Sequence, residues 1–430
     1  MRSRPAKQLA TFIALFIFAP LLIVVSSIAQ SPAKPYYLHD GDTVVFYGDS
    51  ITEQRYYTQD VDVYTVTRFP HMQVQFFNAG VGGDRVTGGG AGPIDLRLSR
   101  DVVPQKPTVV TIMLGMNDGR YASLTPEIES EYKQGYEHIL TSLESSLPGV
   151  RLTLLGASPY DEVTRSVNFP GGYNPSLVRF GEIDSELARK HNQTFIDLNA
   201  PFVASLQRGV AINPLATELI LPDRVHPEAT AHWFMAAALL KGWNAPSIVS
   251  ATTIDADKLA VVETDKSHIT EISKDTSGIG WTELDDALPL PFNDKGAGDI
   301  FLHQISDIEK DLDQQLLTVT GLNPGAYKLT IDGALVATFT NAELAKGVNL
   351  ANFSTPMRGQ ASRVSWLVRD RDDAHYVRLR MFVNQMKVGY VAEPAATDLL
   401  RFEKELQKQI YEVAQPTPHK YQVKAIVTPQ

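Results

Sequence analysis

The sequence predicts a doubly wound α/β sandwich followed by a smaller β-rich unit. Three observations carry that reading. The short apolar runs 44–47, 108–114 and 150–155 have strand length and little polar alternation, the pattern of strands buried on both faces of a parallel sheet. Segments of helical period separate them, at lengths suited to crossovers between parallel strands. Beyond about residue 250 the pattern becomes short alternating segments broken by glycine and proline turns. A chain of 430 residues has a natural length for two domains, and 43% hydrophobic residues suffice for ordinary cores.

Composition excludes several functions. The formal net charge is −10 and no long basic run occurs outside the N-terminus, which argues against a nucleic-acid partner. The chain has no cysteine, so disulfides, thiol nucleophiles, cysteine-ligated zinc and a lipid on an N-terminal cysteine are excluded together. Arg2, Arg4 and Lys7 precede the apolar run Leu9 to Val25, and Ser27-Ile28-Ala29 has the small residues of a cleavage site. Residues 1–29 therefore read as a secretory signal removed after Ala29. An uncleaved membrane anchor is the alternative, because the apolar run is near the shortest length that spans; Pro20 and the small residues favour cleavage. The mature chain is expected to be exported, periplasmic or secreted, with no stable membrane insertion.

Taken in order, residues 43–53 read TVVFYGDSITE: a buried strand, a tight Gly48-Asp49-Ser50 turn, and a serine at the strand's C-terminal end. Ligands of open α/β sheets sit beyond that end of the strands. A Gly-Asp-Ser turn alone is also common as plain structure. A helix is predicted over 56–71 and a second strand over 73–77. The strand runs into the glycine-rich loop Asn78 to Asp84, where backbone amides can approach a ligand closely. No Lys-Ser/Thr follows those glycines, which excludes a phosphate-binding P-loop. The strand 108–114 ends in Gly115-Met116-Asn117-Asp118, placing a side-chain amide at a strand end. A helix over 127–147, the strand 150–155, a long Pro/Gly/aromatic loop over 158–175, a helix over 176–191 and a strand over 194–197 follow. The loop's length and place suggest a wall or lid over a site.

Asp223 and His226 lie three apart, ahead of a helix expected from Pro227 or Glu228 to Trp243. At that spacing a carboxylate can hold one imidazole nitrogen and leave the other to take a proton from a serine. Asp49, Asp118 and His226 offer too few nitrogen ligands for a convincing metal site, so no metal and no cofactor are expected.

Together Gly48-Asp49-Ser50, the glycine of Asn78 to Asp84, Gly115-x-Asn117-Asp118 and Asp223-x-x-His226 resemble the four blocks of the SGNH, or GDSL-type, hydrolases, in the family's order and at strand ends. The resemblance spans about residues 36–243. It implies a flavodoxin-like three-layer α/β/α domain and ester hydrolysis through an acyl-serine. It also implies roles: Ser50 as nucleophile, His226 as base and Asp223 as its orienting carboxylate. The implied oxyanion hole is the backbone N–H of Ser50, the backbone N–H of Gly83, with Gly82 as the alternative, and the Asn117 amide. One departure is Gln54, where the family's first block often continues to a glycine.

After a linker at 244–250, the second half reads as a small β-sandwich-like domain over 251–414 with helices over 356–386 and 395–413 and a flexible tail over 415–430. The segments 316–322, 327–333 and 335–340 read as a β-meander with a turn at Asn323-Pro324-Gly325 and a hairpin turn at Gly333 after Asp332. Trp281 and Trp366 read as core residues before they read as platforms for sugar rings. An SGNH domain followed by a β-domain resembles exported bacterial proteins that act on carbohydrate esters, so small or polysaccharide-linked acetyl esters are the expected substrates. Acyl transfer to a sugar hydroxyl, a lipase-type esterase and a non-catalytic carbohydrate-binding protein remain open alternatives. Nothing in the sequence speaks to an oligomeric state.

Overall fold

A five-stranded parallel sheet carries the N-terminal half. Its strands are β1 (Thr43–Gly48), β2 (Gln75–Asn78), β3 (Val109–Met113), β4 (Arg151–Gly156) and β5 (Thr194–Asp197), in the order β2-β1-β3-β4-β5. The structure is a computed structural model that describes Met1 and residues 34–292, 296–383 and 393–426. The signal sequence read at residues 1–29 lies outside the described residues, apart from Met1. β1 and β3 are buried almost throughout, as unalternating apolar runs require. Their neighbours β2 and β4 lie on opposite sides of the pair, so the strand order reverses there. A crevice opens at such a switch point beyond the strands' C-terminal ends, and every candidate site residue follows one of these strands or reaches this edge.

Helices cover both faces. After β1 come the single turn α1 (Ser50–Glu53) and α2 (Tyr56–Arg68). α3 (Pro126–Ser146) starts where Thr125 caps Ile128 N–H and proline occupies the first turn; Ile128, Tyr132, Tyr136, Ile139 and Leu143 form its buried stripe at helical spacing. α4 (Asn174–Lys190) buries Leu177, Phe180, Ile183 and Leu187 in the same way. α5 (Asn199–Ile212) was not anticipated from the sequence. The helix expected from Pro227 begins later: Ala229–Ala231 form a 3-10 turn and α6 spans His232–Gly242.

The second half is a two-sheet sandwich with an unexpected strand order. One sheet contains β6 (Ile248–Asp255), β7 (Ala260–Asp265), β10 (Gln314–Thr320) and β13 (Val348–Asn349), ordered β13-β10-β6-β7. The other contains β8 (Ser267–Lys274), β9 (Gly278–Asp285), β11 (Ala326–Ile331), β12 (Ala334–Thr340) and β14 (His419–Ala425), ordered β8-β9-β14-β11-β12. Ile254, Leu317 and Val319 from the first sheet pack with Trp281, Leu329, Ile331, Tyr421 and Val423 from the second.

Three expectations are corrected. The meander over 316–340 is only half a meander: β11 and β12 form a hairpin, while β10 belongs to the facing sheet, parallel to β6. The hairpin turn is Asp332-Gly333, as expected, both residues at positive φ (51° and 81°), which suits an Asp-Gly pair. The tail expected to be flexible over 415–430 contains β14, the middle strand of its sheet. Tyr421 and Val423 alternate inward there, and the prolines at 416 and 418 precede the strand without interrupting it. Trp281 is core, stacked on Tyr421 at 5.2 Å, but Trp366 is 62% exposed.

The helices α7 (Pro356–Val377) and α8 (Glu393–Ala414) pack back on α2. Val364, Val368, Ile410 and Ala414 bury against Val63 and Val66, and Arg371 reaches Asp62 at 2.5 Å. Arg68, at the end of α2, donates to the carbonyls of Pro246 and Ser247 in the linker, both at 3.1 Å. The linker therefore separates the sheets but not the packing, and residues Pro35–Gln430 form one compact unit. Among the described residues no helix is long and apolar enough to cross a membrane.

Candidate active site

Ser50 sits at the first position of α1, directly after β1. Asp49 caps that turn, accepting from Ile51 N–H at 3.0 Å. Its own carboxyl is buried, and burial pushes its pKa up to about 7. The half-buried Ser50 Oγ lies 2.7 Å from His226 Nε2. His226 Nδ1 lies 2.6 Å from Asp223 Oδ2. A carboxylate only accepts, so Nδ1 carries the proton and Nε2 presents its lone pair to the serine hydroxyl.

The Asp223 loop is held by its own backbone. Asp223 Oδ1 accepts from Val225 N–H at 2.9 Å and His226 N–H at 2.7 Å. Partial burial raises the Asp223 carboxyl, but those N–H groups and the His226 ring outweigh it and hold the group below its ordinary value. Arg224 adopts φ 73°, an unfavourable geometry for a side-chain-bearing residue. Its backbone and side chain are engaged by the loop predicted as a wall: Asp161 N–H donates to Arg224 O at 2.9 Å, and Arg224 Nη1 donates to Ser166 O at 2.7 Å. Arg165 of that loop donates to Leu221 O at 2.6 Å and Pro222 O at 3.0 Å. The loop is thus fastened to the segment that delivers the histidine.

The glycine loop after β2 approaches the serine closely. A Cβ on Gly80 would lie 2.4 Å from the Glu53 backbone nitrogen, so only glycine lets the loop pass α1. Hydrogen bonding distinguishes Gly82 from Gly83. Gly82 N–H donates to Glu53 Oε2 at 2.7 Å, whereas Gly83, at φ 77°, is the loop's other exposed glycine. Asp84 then turns inward to Arg97 Nε at 2.7 Å, both side chains fully buried, and Arg97 also donates to Ala79 O at 2.7 Å.

Asn117 follows β3. Its Nδ2 donates to Asp84 O at 3.1 Å and its Oδ1 accepts from Tyr121 OH at 3.2 Å. Those partners fix the amide's orientation and leave it a second N–H. Asp118 accepts from Val86 N–H and Gly115 N–H, each at 2.9 Å, and burial pushes its carboxyl up to about 7. Gln54, where the sequence departs from the family pattern, contacts the buried His232 ring at 3.1 Å. Among the described residues no group of His, Asp and Glu side chains is arranged to hold a metal ion.

The residues singled out in the sequence therefore meet: Ser50, His226 and Asp223 form one hydrogen-bonded line, and the Asp84 carbonyl bridges the glycine loop to Asn117. Sequence reasoning missed Glu53, Tyr376 and Arg380. Tyr376 OH donates to Glu53 Oε1 at 3.2 Å, and Arg380 donates to Gly80 O. No local signal marks a partner 300 residues or more away.

Residues 46–234 match the GDSL-like Lipase/Acylhydrolase family. An acetylxylan esterase from Geobacillus stearothermophilus is 28% identical over 176 residues, covering 40% of this chain and 74% of that protein. Among solved structures, a gut microbial diltiazem-metabolizing enzyme superposes with a TM-score of 0.77 at 28% identity, covering 90% of this chain and 98% of that chain. The likeness to that enzyme therefore extends through the second half.

Proposed function

The chain is an SGNH/GDSL-type carboxylic ester hydrolase through residues 46–234, and from that premise we propose that it is an exported serine esterase that removes acetyl groups from carbohydrate. The observation that carries the chemistry is the Asp223–His226–Ser50 line at 2.6 and 2.7 Å. Ser50 Oγ attacks the acyl carbon as its proton passes to His226 Nε2. Asp223 holds the Nδ1–H tautomer and stabilises the imidazolium. The tetrahedral oxyanion is held by the N–H groups of Ser50 and Gly83 and the second N–H of Asn117. His226 returns its proton to the leaving alkoxide, and water then hydrolyses the acyl-serine by the same route.

Asn117→Ala is expected to lower kcat by about 10²–10³ with little change in KM, because this donor strengthens only as charge develops on the oxygen. Steady-state kinetics on p-nitrophenyl acetate checks this, and an unchanged kcat removes Asn117 from the oxyanion hole.

The carbohydrate reading rests on the acetylxylan esterase relative, the export signal in the sequence, and a cleft on α7. There Trp366, Arg358 and Arg369 line a cavity of about 460 Å³. A second cavity of about 170 Å³ shares Arg369 and reaches Ala229 and Thr230, just downstream of His226. An exposed indole face flanked by hydrogen-bonding groups suits a sugar ring. A second reading, a small non-carbohydrate ester, is favoured by the near-full-length likeness to the diltiazem-metabolizing enzyme. The deciding experiment compares p-nitrophenyl esters from acetate to octanoate with acetylated xylo-oligosaccharides and diltiazem. Fastest turnover of acetate, with acetate released from the oligosaccharides, is the expected result. Turnover of diltiazem without release from any sugar supports the second reading, and a preference for octanoate moves the substrate to lipid esters.

A further inference from the structure

We propose that Tyr376 and Glu53 are positioning residues for the oxyanion hole, so that the last turn of α7 completes an active site otherwise built from the N-terminal half. The proposal rests on the reading that Gly83 N–H binds the oxyanion. Gly82 and Gly83 are exposed and have no side chains with which to anchor themselves. Behind them the loop is held firmly: Val81 N–H donates to Gly48 O at 2.9 Å, and Gly80 N–H to Asn78 Oδ1 at 3.0 Å. Ahead of them Asp84 is locked to Arg97. Between those anchors, Glu53 Oε2 takes the Gly82 N–H at 2.7 Å. With the Gly82 amide held by that bond and Asp84 locked just beyond, the Gly83 peptide lies between two fixed points, and its N–H has few directions left to it.

A glutamate has three side-chain torsions and on its own is a loose anchor. Here both of its oxygens are occupied. Oε1 accepts from Tyr376 OH at 3.2 Å while Oε2 holds Gly82. Tyr376 is itself fixed: the Arg55 guanidinium lies 4.5 Å over its ring, and Arg55 Nη2 pairs with Asp373 Oδ1 at 2.9 Å, one turn back on α7. Arg380, just beyond α7, donates to Gly80 O, the carbonyl two residues before Gly82. Two hydrogen bonds from one segment therefore reach the same loop, one through Glu53 and one directly. Tyr376 and Arg380 both lie outside the 46–234 region that matches the family.

The arrangement makes a specific kinetic demand. A misplaced oxyanion donor weakens the transition state more than the bound substrate, so kcat falls and KM does not. The test measures kcat, KM and Tm for Tyr376→Phe, Glu53→Ala and Glu53→Gln with p-nitrophenyl acetate, beside Ser50→Ala. Tyr376→Phe is expected to lower kcat about tenfold, and Glu53→Ala somewhat more, with KM within about twofold, since displacement of a donor by a fraction of an ångström costs less than its full removal. Glu53→Gln is expected to retain most activity, because its Oε1 accepts the Gly82 N–H and its Nε2 meets the tyrosine oxygen.

Wild-type kcat in both Tyr376→Phe and Glu53→Ala overturns the proposal, even with a lowered Tm, and leaves those residues a packing role only. A rise in KM at constant kcat also overturns it, by making the pair a substrate contact. Tyr376→Phe removes a single hydroxyl, so the proposal is decided even where Glu53→Ala fails to fold. Full activity in Ser50→Ala sinks the serine-esterase reading itself, a result distinct from failure of the positioning pair.

Discussion

Ser50→Ala is expected to lower kcat on p-nitrophenyl acetate by about 10⁵–10⁶ while leaving Tm almost unchanged. The two halves of that expectation come from different parts of the structure. The kinetic half follows from the 2.7 Å contact between Ser50 Oγ and His226 Nε2: among the described residues Ser50 supplies the hydroxyl on that nitrogen, and without Oγ no acyl-enzyme can form. The stability half follows from position. Ser50 is half-buried at the head of a one-turn helix whose cap is Asp49, so the substitution removes neither core volume nor the cap. His226→Ala is expected to cost about as much, and the double variant no more than either alone, because the pair acts as one unit. Additive losses in the double variant, or near-normal turnover in Ser50→Ala, would reject the acyl-serine mechanism.

Asp223→Asn is the second large effect, about 10⁴ in kcat. Asparagine keeps the shape and can still accept Val225 and His226 N–H through its oxygen, so the loop is expected to stay folded. Its NH₂ then faces His226 Nδ1 at the position of the present 2.6 Å contact. The imidazole responds by carrying its proton on Nε2, where it can no longer receive the serine proton. The same contact has a pH signature. The Asp223 carboxyl is held below its ordinary value, so its contribution to stability is present above the unfolded value of about 3.9 and is lost as pH falls through the lower folded value. The acid limb of the wild-type stability curve is therefore expected to be steeper than that of Asp223→Asn. Equal kcat in the two proteins at neutral pH would remove Asp223 from the catalytic line.

The sequence was informative wherever function is written in short range. The run 44–47 is a strand because four successive apolar side chains gain by burial on both faces, and the turn after it places Ser50 at the strand's end. Asp223 and His226 are three residues apart, and their pairing needs only a local turn. The sheet follows from the same local signals: runs without alternation, separated by helical periods, become parallel strands. Elsewhere the local signal existed but its meaning did not. His419–Ala425 alternates as a strand should, yet a strand's own period says nothing about which strands it pairs with, and this one lies between β9 and β11. β10 alternates equally well and joins the opposite sheet. Trp281 alternates inward on its strand, whereas Trp366 faces outward because α7 turns its other side, with Val364 and Val368, toward α2.

By itself the sequence determined the parallel sheet, the order of the four blocks and the identity of the Ser50, His226 and Asp223 groups, because each depends on neighbours within a few residues or on simple burial. The tertiary structure alone decided three further things. It buried nearly every residue of α2 from Tyr57 to Arg68, polar ones included, by covering its outer side with α7 and α8. It distinguished Gly83 from Gly82 by giving the Gly82 amide to Glu53. It brought Tyr376 to Glu53 across 323 residues of chain. The physical reason is common to all three: hydrogen bonds and van der Waals contacts act over a few ångströms in space, and separation along the chain does not report which groups packing will bring that close.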